Sequence, residues 1–210
     1  CSRLEAIFPS NKLTEAMEVV DVPATEPVEF GVDVGAFGDD ASVVVMRQGM
    51  KAKILLVRKG QATTDTTRQV IMLADEYHPQ LIRVDTIGVG RGVYDQLFEQ
   101  GHPVEEFIGG ATPFDKRFRN RRAEAYWGLR NLIMAGKVSL PTSAESEYAN
   151  MMMNEMGTIK YLQTESDRVI QIESKKAIKK RTGKSPDFAD AMVYAFASEG
   201  FDWVTAATLG

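Results

Sequence analysis

The stretch Phe30-Gly31-Val32-Asp33-Val34-Gly35 decides the fold class, because an apolar run ends there in a carboxylate and small residues. Residues 28–34 predict a buried β-strand, followed by a turn over residues 35–40. The segment Leu81-Ile82-Arg83-Val84-Asp85 repeats the pattern ahead of a glycine-rich turn. Ligands of α/β sheets bind beyond the carboxyl ends of the strands, so Asp33 and Asp85 mark a candidate site.

The pattern around these two strands predicts a mixed five-stranded α/β sheet flanked by helices. Strands over 41–47 and 52–58 join near Gly49 as a hairpin, so three antiparallel strands open the sheet. This order differs from a Rossmann nucleotide domain, in which strand and helix alternate from the start. The remaining predicted elements are, in chain order, helices over 63–77 and about 92–100, a strand over 104–108, helices over 121–135 and 143–155, a hairpin of 157–163 with 168–172, and a helix over 186–199.

A third carboxylate opens the last predicted helix, in the segment Ser185-Pro186-Asp187-Phe188-Ala189-Asp190-Ala191. Asp187 and Asp190 share one face of that helix, since they are three residues apart. The helix dipole also favours aspartate at this end, so a purely structural role is the alternative for both. Asp190 and Asp39, which follows Asp33 in the turn, are secondary candidates; for Asp39 the alternative is an ordinary turn residue.

Three carboxylates that converge at one end of a sheet indicate a metal site. Their oxygens are the hard ligands that Mg²⁺ or Mn²⁺ prefers. Asp33, Asp85 and Asp187 therefore predict a metal-dependent phosphoryl-transfer site, most simply that of a nuclease. The chain has one cysteine and two histidines, which excludes a cysteine-based metal site and disfavours a histidine-rich zinc site.

The net charge of −4 conceals a basic middle in an acidic chain. Residues 116–184 carry a net charge of +8, whereas residues 1–115 carry −8. A basic region of this kind suits contacts to a phosphate backbone; two differently charged solvated surfaces are the alternative. The segment 174–184 is strongly basic and shows no clear hydrophobic pattern. The predicted DNA-binding residues are Arg121, Arg122, Lys175, Lys176, Lys179, Lys180, Arg181 and Lys184.

The bulk composition fits one large domain in an intracellular compartment. The chain has 210 residues, 44% of them hydrophobic, which is enough for a sizeable core. No apolar run approaches the roughly 18 residues needed to span a bilayer, and the start of the chain lacks the apolar region of a signal peptide. We expect a linker or N-terminal arm over 1–27, the folded domain over 28–200 and a C-terminal tail over 201–210.

Four segments together resemble one family in their order and spacing: residues 31–40, 84–90, 120–124 and 185–191. The chain is similar, over about residues 28–200, to the C-terminal nuclease domain of the large terminase subunit of tailed bacteriophages. That resemblance implies an RNase H/RuvC-like fold, with the 157–172 hairpin beside the active site. It also implies a hydrolase, an endonuclease that cuts concatemeric viral DNA during genome packaging in the cytoplasm of the infected bacterium.

The resemblance also assigns roles and partners. Asp33, Asp85 and Asp187 would be the metal-binding catalytic acids, and Asp39 matches an acidic position near the metals in some members. The implied partners are double-stranded DNA, a packaging ATPase domain that precedes the nuclease, the portal and the small terminase subunit, with no membrane. The chain has no Walker-type loop, so we expect it to be a domain without that ATPase, with residues 1–27 as a remnant of the interdomain linker.

The mechanism that follows is two-metal phosphodiester hydrolysis. Asp33 would bridge two Mg²⁺ or Mn²⁺ ions about 3.5–4 Å apart, while Asp85 and Asp187 would each complete the shell of one ion. Three other functions remain open at this point. They are a RuvC-like junction resolvase, an ATP-binding domain of the actin or sugar-kinase type, and a DNA-docking module without catalysis.

Overall fold

The computed structural model of the protein describes residues 4–18, 21–36, 38–163 and 168–198. Its strands are β1 (Leu4–Ala6), β2 (Val28–Asp33), β3 (Ala41–Gln48), β4 (Lys51–Lys59), β5 (Leu81–Asp85), β6 (Val104–Phe107), β7 (Lys160–Gln163) and β8 (Ile170–Ile172). Its helices are α1 (Ser10–Glu15), α2 (Thr63–Tyr77), α3 (Gly90–Glu99), α4 (Arg121–Met134), α5 (Ala149–Thr158), α6 (Lys175–Thr182) and α7 (Asp187–Phe196).

The central sheet has five strands in the order β4-β3-β2-β5-β6. Strand β3 runs antiparallel to β2 and β4, whereas β5 is parallel to β2 and to β6. The predicted mixed five-stranded sheet is therefore confirmed. Because Val32 lies opposite Val84 in the parallel pair, the next residue of each strand, Asp33 and Asp85, lies at the same edge of the sheet.

Helices cover both faces of the central sheet. One core lies between the sheet and α2 and α3, and is built on Phe30, Val32, Val44 and neighbouring apolar residues. The other lies between the sheet and α4, α5 and α7, where Val43 and Val45 of β3 pack. Since alternate residues of a strand point to opposite faces, the nearly continuous apolar runs of β2 and β3 supply both cores at once.

A glycine sets the distance between α7 and the sheet. A Cβ atom at Gly31 would lie 2.0 Å from the carbonyl oxygen of Ala191 and 2.3 Å from the backbone nitrogen of Ala195. The backbone of α7 therefore lies directly against β2, which only the missing side chain at position 31 permits. This contact brings the first turn of α7 beside the end of β2, where Asp33 lies.

A second, smaller sheet has the order β1-β7-β8. The predicted hairpin is present as antiparallel β7 and β8, although its first residues belong to α5, and the turn over 164–167 lies outside the described residues. Strand β1 pairs antiparallel with β7 on the other side, from Leu4 opposite Leu162 to Ala6 opposite Lys160.

The structure differs from the sequence prediction at the N-terminal side of the chain. Residues 1–27 were expected to be a linker or arm, yet β1 and α1 lie within this range and Ile7, Phe8 and Leu13 are buried in the main core. The packed core thus extends beyond the expected boundary at residue 28. A three-residue strand and a six-residue helix divided by Pro9 are too short to give a periodic signal.

Two further predictions needed correction. No helix was predicted in the poorly patterned segment 174–184, yet it contains α6. Ser174 caps the N-terminus of α6, and its Oγ accepts a hydrogen bond from the backbone N–H of Ala177 (3.1 Å). Only Ile178 of this helix is buried, so the apolar period that marks a helix is absent. The helix predicted over 143–155 begins at Ala149 instead. The last helix is α7, and the expected tail over 201–210 lies outside the described residues.

Candidate active site

Four aspartates meet at the carboxyl edge of the central sheet. Asp33 ends β2 and Asp85 ends β5, while Asp187 and Asp190 occupy the first turn of α7, which lies against β2. All four side chains are buried, and Asp190 is completely so. Gly90 holds the turn after β5 close, because a Cβ atom there would lie 1.8 Å from the carbonyl oxygen of Asp85.

A single ammonium group joins three of these carboxylates. The Nζ of Lys175, in the first turn of α6, lies 3.3 Å from an oxygen of Asp33, 2.9 Å from Asp85 Oδ2 and 3.1 Å from Asp190 Oδ2. Burial lowers the pKa of Lys175, but the carboxylates of Asp190 and Asp33 raise it more, so the pKa lies well above its ordinary value. Lys175 is therefore charged, and its charge partly balances the cluster.

Asp33 remains short of compensating charge. Burial raises the pKa of its carboxyl well above the ordinary value; Lys175 opposes this shift, and the carboxylates of Asp190, Asp187 and Asp85 add to it. Buried like charges that share one site disfavour each other's ionised form. An additional cation at this point would be stabilised by the same carboxylates.

Asp190 is the best-paired acid of the group. Its Oδ1 accepts a hydrogen bond from the hydroxyl of Tyr126 (2.6 Å) and lies 3.1 Å from a guanidinium nitrogen of Arg122. Burial raises the pKa of this carboxyl, but Arg122 and Lys175 lower it more, so it lies below its ordinary value. The sequence analysis ranked Asp190 as a secondary candidate. In the structure Asp190 pairs with Lys175, as Asp33 and Asp85 do.

Asp187 lies at the flank of this group. Its Oδ2 accepts a hydrogen bond from the backbone N–H of Ala41, the first residue of β3 (2.7 Å). Burial raises its pKa above the ordinary value. Asp187 also lines a cavity of about 280 Å³ together with Asp39, Glu155 and Lys184. Asp39 is exposed and is connected to the site through this cavity, while its neighbour Asp40 pairs with Lys179 (2.6 Å).

Three site residues were missed by the sequence analysis. Tyr126 donates to Asp190, Tyr194 donates to Asp85 Oδ2 (3.1 Å), and Glu155 Oε2 accepts the backbone N–H of Ala189 at the start of α7 (2.7 Å). Burial and the neighbouring Asp187 and Asp190 raise the pKa of Glu155 to about 8. A signal was available for Tyr194, which lies four residues after Asp190 on the same helix face.

The predicted DNA-binding residues fall into two groups. Two of them contact the acids: Arg122 is buried against Asp190 and Tyr126, and Lys175 pairs with Asp33, Asp85 and Asp190. Arg121 pairs with Glu124 instead. The others lie on α6 or just after it. Lys179 is paired with Asp40 and Arg181 with Glu173, and Lys176, Lys180 and Lys184 are exposed as well.

The aspartate oxygens are suitable ligands for a hard divalent cation, but their present arrangement around Lys175 does not form a ready metal site. In residues 4–18, 21–36, 38–163 and 168–198, no group of three or more His, Cys, Asp or Glu side chains stands ready to hold a metal ion. The reason lies in the geometry above, since the Lys175 ammonium lies where the carboxylates converge. The oxygen donors match Mg²⁺ or Mn²⁺, and a metal would have to share or take the position of that ammonium.

Within the described part of the chain, no helix has both the length and the apolar character needed to cross a membrane.

Comparisons with known proteins agree with this architecture. The family model described as terminase RNaseH-like domain matches residues 30–199. The nuclease domain of the large terminase subunit gp2 of bacterial virus Sf6 is 20% identical, with a TM-score of 0.77 over 93% of this chain and 100% of that chain. The large terminase nuclease of thermophilic phage G20c with bound magnesium is 17% identical, with a TM-score of 0.64 over 92% of this chain and 97% of that chain. At these identities the structural likeness shows the shared fold, and a comparison with curated protein sequences gives no match.

Proposed function

The chain belongs to the terminase RNaseH-like domain family, and we propose that it is the metal-dependent DNA endonuclease of a phage large terminase. It would cut concatemeric viral DNA during genome packaging, in the cytoplasm of the infected bacterium. The observation that carries the proposal is the cluster of buried carboxylates, Asp33, Asp85 and Asp190, gathered around one ammonium at the carboxyl edge of the sheet. Such an excess of buried acid is costly for a fold unless it serves to bind a cation.

Divalent metal use is supported by the donor set and by the relatives. The Sf6 nuclease domain has been solved with manganese and the G20c nuclease with magnesium. In this chain we propose Asp33, Asp85 and Asp187 as ligands of two Mg²⁺ or Mn²⁺ ions, with Asp190 as a further donor. Bound ions of this kind activate water and stabilise the charge on phosphate oxygens.

The remaining residues would orient these acids and the substrate. Tyr194 holds Asp85, and Tyr126 with Arg122 holds Asp190, so two of the acids are fixed by hydrogen bonds from α7 and α4. Lys175, protonated at Nζ, would attract the scissile phosphate to the acidic edge. In the reaction water adds to phosphorus, the bond from phosphorus to the leaving oxygen breaks, and that oxygen gains a proton.

The exposed lysines of α6 suit the phosphate backbone of double-stranded DNA. Lys176, Lys180 and Lys184 lie on or after the helix that begins at Lys175, so a strand held by them passes near the acids. The nuclease domain would extend over residues 28–200, with the segment 4–16 packed into the same core. In the assembled terminase, the expected partners are the packaging ATPase domain, the portal and the small terminase subunit.

Plasmid cleavage tests the proposal. The purified chain should nick or linearise supercoiled plasmid with Mn²⁺ or Mg²⁺ and not with EDTA. Asp33→Asn should abolish this activity, whereas Asp75→Asn, at an exposed aspartate of α2, should leave it unchanged. Cleavage that persists in EDTA or in Asp33→Asn would contradict the proposed site. Preferential cleavage of four-way junctions over plasmid would favour the resolvase alternative instead.

A further inference from the structure

One aromatic side chain is exposed on a loop that leaves the carboxyl edge of the central sheet. Phe114 lies in the loop between β6 and α4 and is 69% exposed, although a phenylalanine gains stability by burial. Single exposed apolar residues are common and need no explanation by themselves. Phe114 is unusual because the chain holds it in place on the surface and because of what surrounds it.

The loop around Phe114 is fixed by a buried carboxylate. Glu124, in the first turn of α4, accepts hydrogen bonds from the backbone N–H groups of Phe114 (3.2 Å) and Asp115 (2.8 Å). The same carboxylate pairs with Arg121, whose guanidinium lies over the Phe114 ring, 4.3 Å from its centroid. The ring is therefore held outward on an ordered loop, with a cation stacked against it.

Both ends of this loop are tied to the acids. At its start, Phe107 of β6 lies opposite Asp85 in the parallel pair, and its ring is 4.5 Å from that of Tyr194, the donor to Asp85. At its end, Arg122 pairs with Asp190. The exposed ring thus belongs to a segment that begins and finishes at the catalytic edge.

A second exposed apolar residue lies on the adjacent loop. Ile87 is 66% exposed, and its backbone N–H is held by Asp85 Oδ1 (3.0 Å). Since β5 and β6 are neighbours in the sheet, the loops that leave them emerge side by side. Two exposed apolar side chains therefore lie on loops that leave the same edge of the sheet as the acids.

The charge around Phe114 indicates what it meets. Residues 116–122 include five lysines and arginines and no acid. Aromatic rings mixed with cations suit unpaired or unstacked bases between phosphates, and apolar side chains inserted between base steps bend duplex DNA. We propose that Phe114 stacks on a base next to the phosphate that is cut and opens the base step there, with Ile87 beside it. This rests on the proposed nuclease function and adds a positioning residue to it.

An introduced indole tests the stacking directly. In EDTA, where cleavage is absent, Phe114→Trp should lose a large part of its added fluorescence when DNA saturates the protein, because stacked bases quench indole. The matched control is Phe98→Trp, at a phenylalanine of similar exposure (64%) near the far end of α3. Its added fluorescence should stay unchanged. Emission from the native tryptophans is subtracted by using the parent chain.

Binding measurements separate stacking from charge. Phe114→Ala should weaken DNA binding by about 5- to 100-fold, with an unchanged dependence on salt, because no phosphate contact is lost. Phe98→Ala should bind like the parent. If Phe114→Ala binds like the parent, or if the introduced indole is not quenched, the inference is wrong and Phe114 is free to serve a protein partner. If the parent itself binds no DNA, the proposed function fails together with the inference.

Discussion

Strand β2 carries a buried carboxylate near each end, Glu29 and Asp33, and the charges around these two carboxylates differ. At the amino end, Glu29 pairs with Arg47 (2.9 Å) and Arg83 (3.0 Å), and Ser198 and Gln80 donate to it as well. At the carboxyl edge, four carboxylates lie together; Lys175 pairs with Asp33, Asp85 and Asp190, and Arg122 pairs with Asp190. The two ends are built from the same pair of strands, yet their electrostatic situations are opposite.

The pKa shifts record this difference. Burial raises the pKa of Glu29, but Arg47 and Arg83 lower it more, so it lies below the ordinary value. The pKa of Asp33 lies well above its ordinary value, because burial and three other acids outweigh Lys175. Balanced buried charge can hold a fold together, whereas unbalanced buried charge is kept at a cost in stability where a cation is to bind.

The strongest test of the comparison combines activity and stability in Asp33→Asn. Cleavage should fall at least about 100-fold, since metal sites contribute several kcal/mol to such reactions. At pH 8 the variant should nevertheless be more stable than the parent. The folded pKa of Asp33 is raised, so the parent loses stability as the pH rises above the ordinary value of 3.8, and the neutral amide avoids that loss.

Urea denaturation at pH 5 and pH 8, together with plasmid cleavage, measures both effects. Asp75→Asn serves as the exposed control and should change neither quantity. If Asp33→Asn is less stable than the parent at pH 8, the charge of Asp33 is compensated at the carboxyl edge and the comparison is wrong.

The balanced end should respond in the opposite way. Arg83 is 1% exposed, so Arg83→Met leaves Glu29 with less compensation and should lower the free energy of unfolding by about 3–5 kcal/mol. The double variant Glu29→Gln/Arg83→Met should recover part of this loss, because the uncompensated charge is gone. Arg68→Met, in an exposed pair with Asp65, should change stability by less than about 0.5 kcal/mol. Urea denaturation measures both arginine variants. Equal changes in the free energy of unfolding for Arg83→Met and Arg68→Met would contradict the structural role of the Glu29–Arg83 pair.

Gly31 lies between the two ends, and a substitution there should disturb both. In Gly31→Ala the new methyl group would meet the backbone of α7 and push that helix from β2, at a cost of about 1–3 kcal/mol. Cleavage should fall as well, because α7 carries Asp187 and Asp190. Gly110→Ala is the control, since nothing lies within 4 Å of the position that its methyl group would take. Thermal unfolding and plasmid cleavage measure the two effects, and an unaffected Gly31→Ala would contradict the close contact.

A further expected effect concerns Glu155, which is a titrating group near Asp187 and Asp190. The folded pKa of Glu155 is about 8, above the ordinary value of 4.5. Between pH 4.5 and pH 8 the folded state therefore keeps a proton that the unfolded state has already released. Stability should therefore fall as the pH rises from about 4.5 to 8, by a few kcal/mol at most. Glu155→Gln should show a shallower fall of melting temperature over this range, and the exposed Glu147→Gln should not. Identical pH profiles for Glu155→Gln and the parent would refute the raised pKa.

The part of the fold that the sequence predicted is the part with strong local patterns. Strands β2 to β6 and helices α2 and α4 appear close to their predicted bounds, because apolar runs marked the strands and apolar residues at helical spacing marked the helices. Helix α6 was missed because only Ile178 is buried in it, and β1 and α1 because they are very short. The positions of these elements depend on tertiary contacts, which a single amino-acid sequence does not reveal.

The candidate site divides in the same way. Asp33 and Asp85 were found from strand ends, and the register of β2 with β5 places them at one edge as expected. The contacts of Lys175 with the acids depend on the position of α6 relative to the sheet, so composition indicated only a basic segment. Arg122 was expected at the DNA surface, yet it is buried against Asp190. The charge of Arg122 was known from the sequence, but the direction of its side chain could not be predicted.

The pairing of β1 with β7 bears on how this protein can be trimmed and handled. A shortened chain that begins at residue 28 would lack β1, and β7 would then present an unpaired strand edge from Lys160 to Gln163. It would also uncover the apolar surface that Ile7, Phe8 and Leu13 now fill. Unpaired strand edges and exposed apolar surfaces promote self-association. We therefore expect the short N-terminal segment to protect the domain from aggregation.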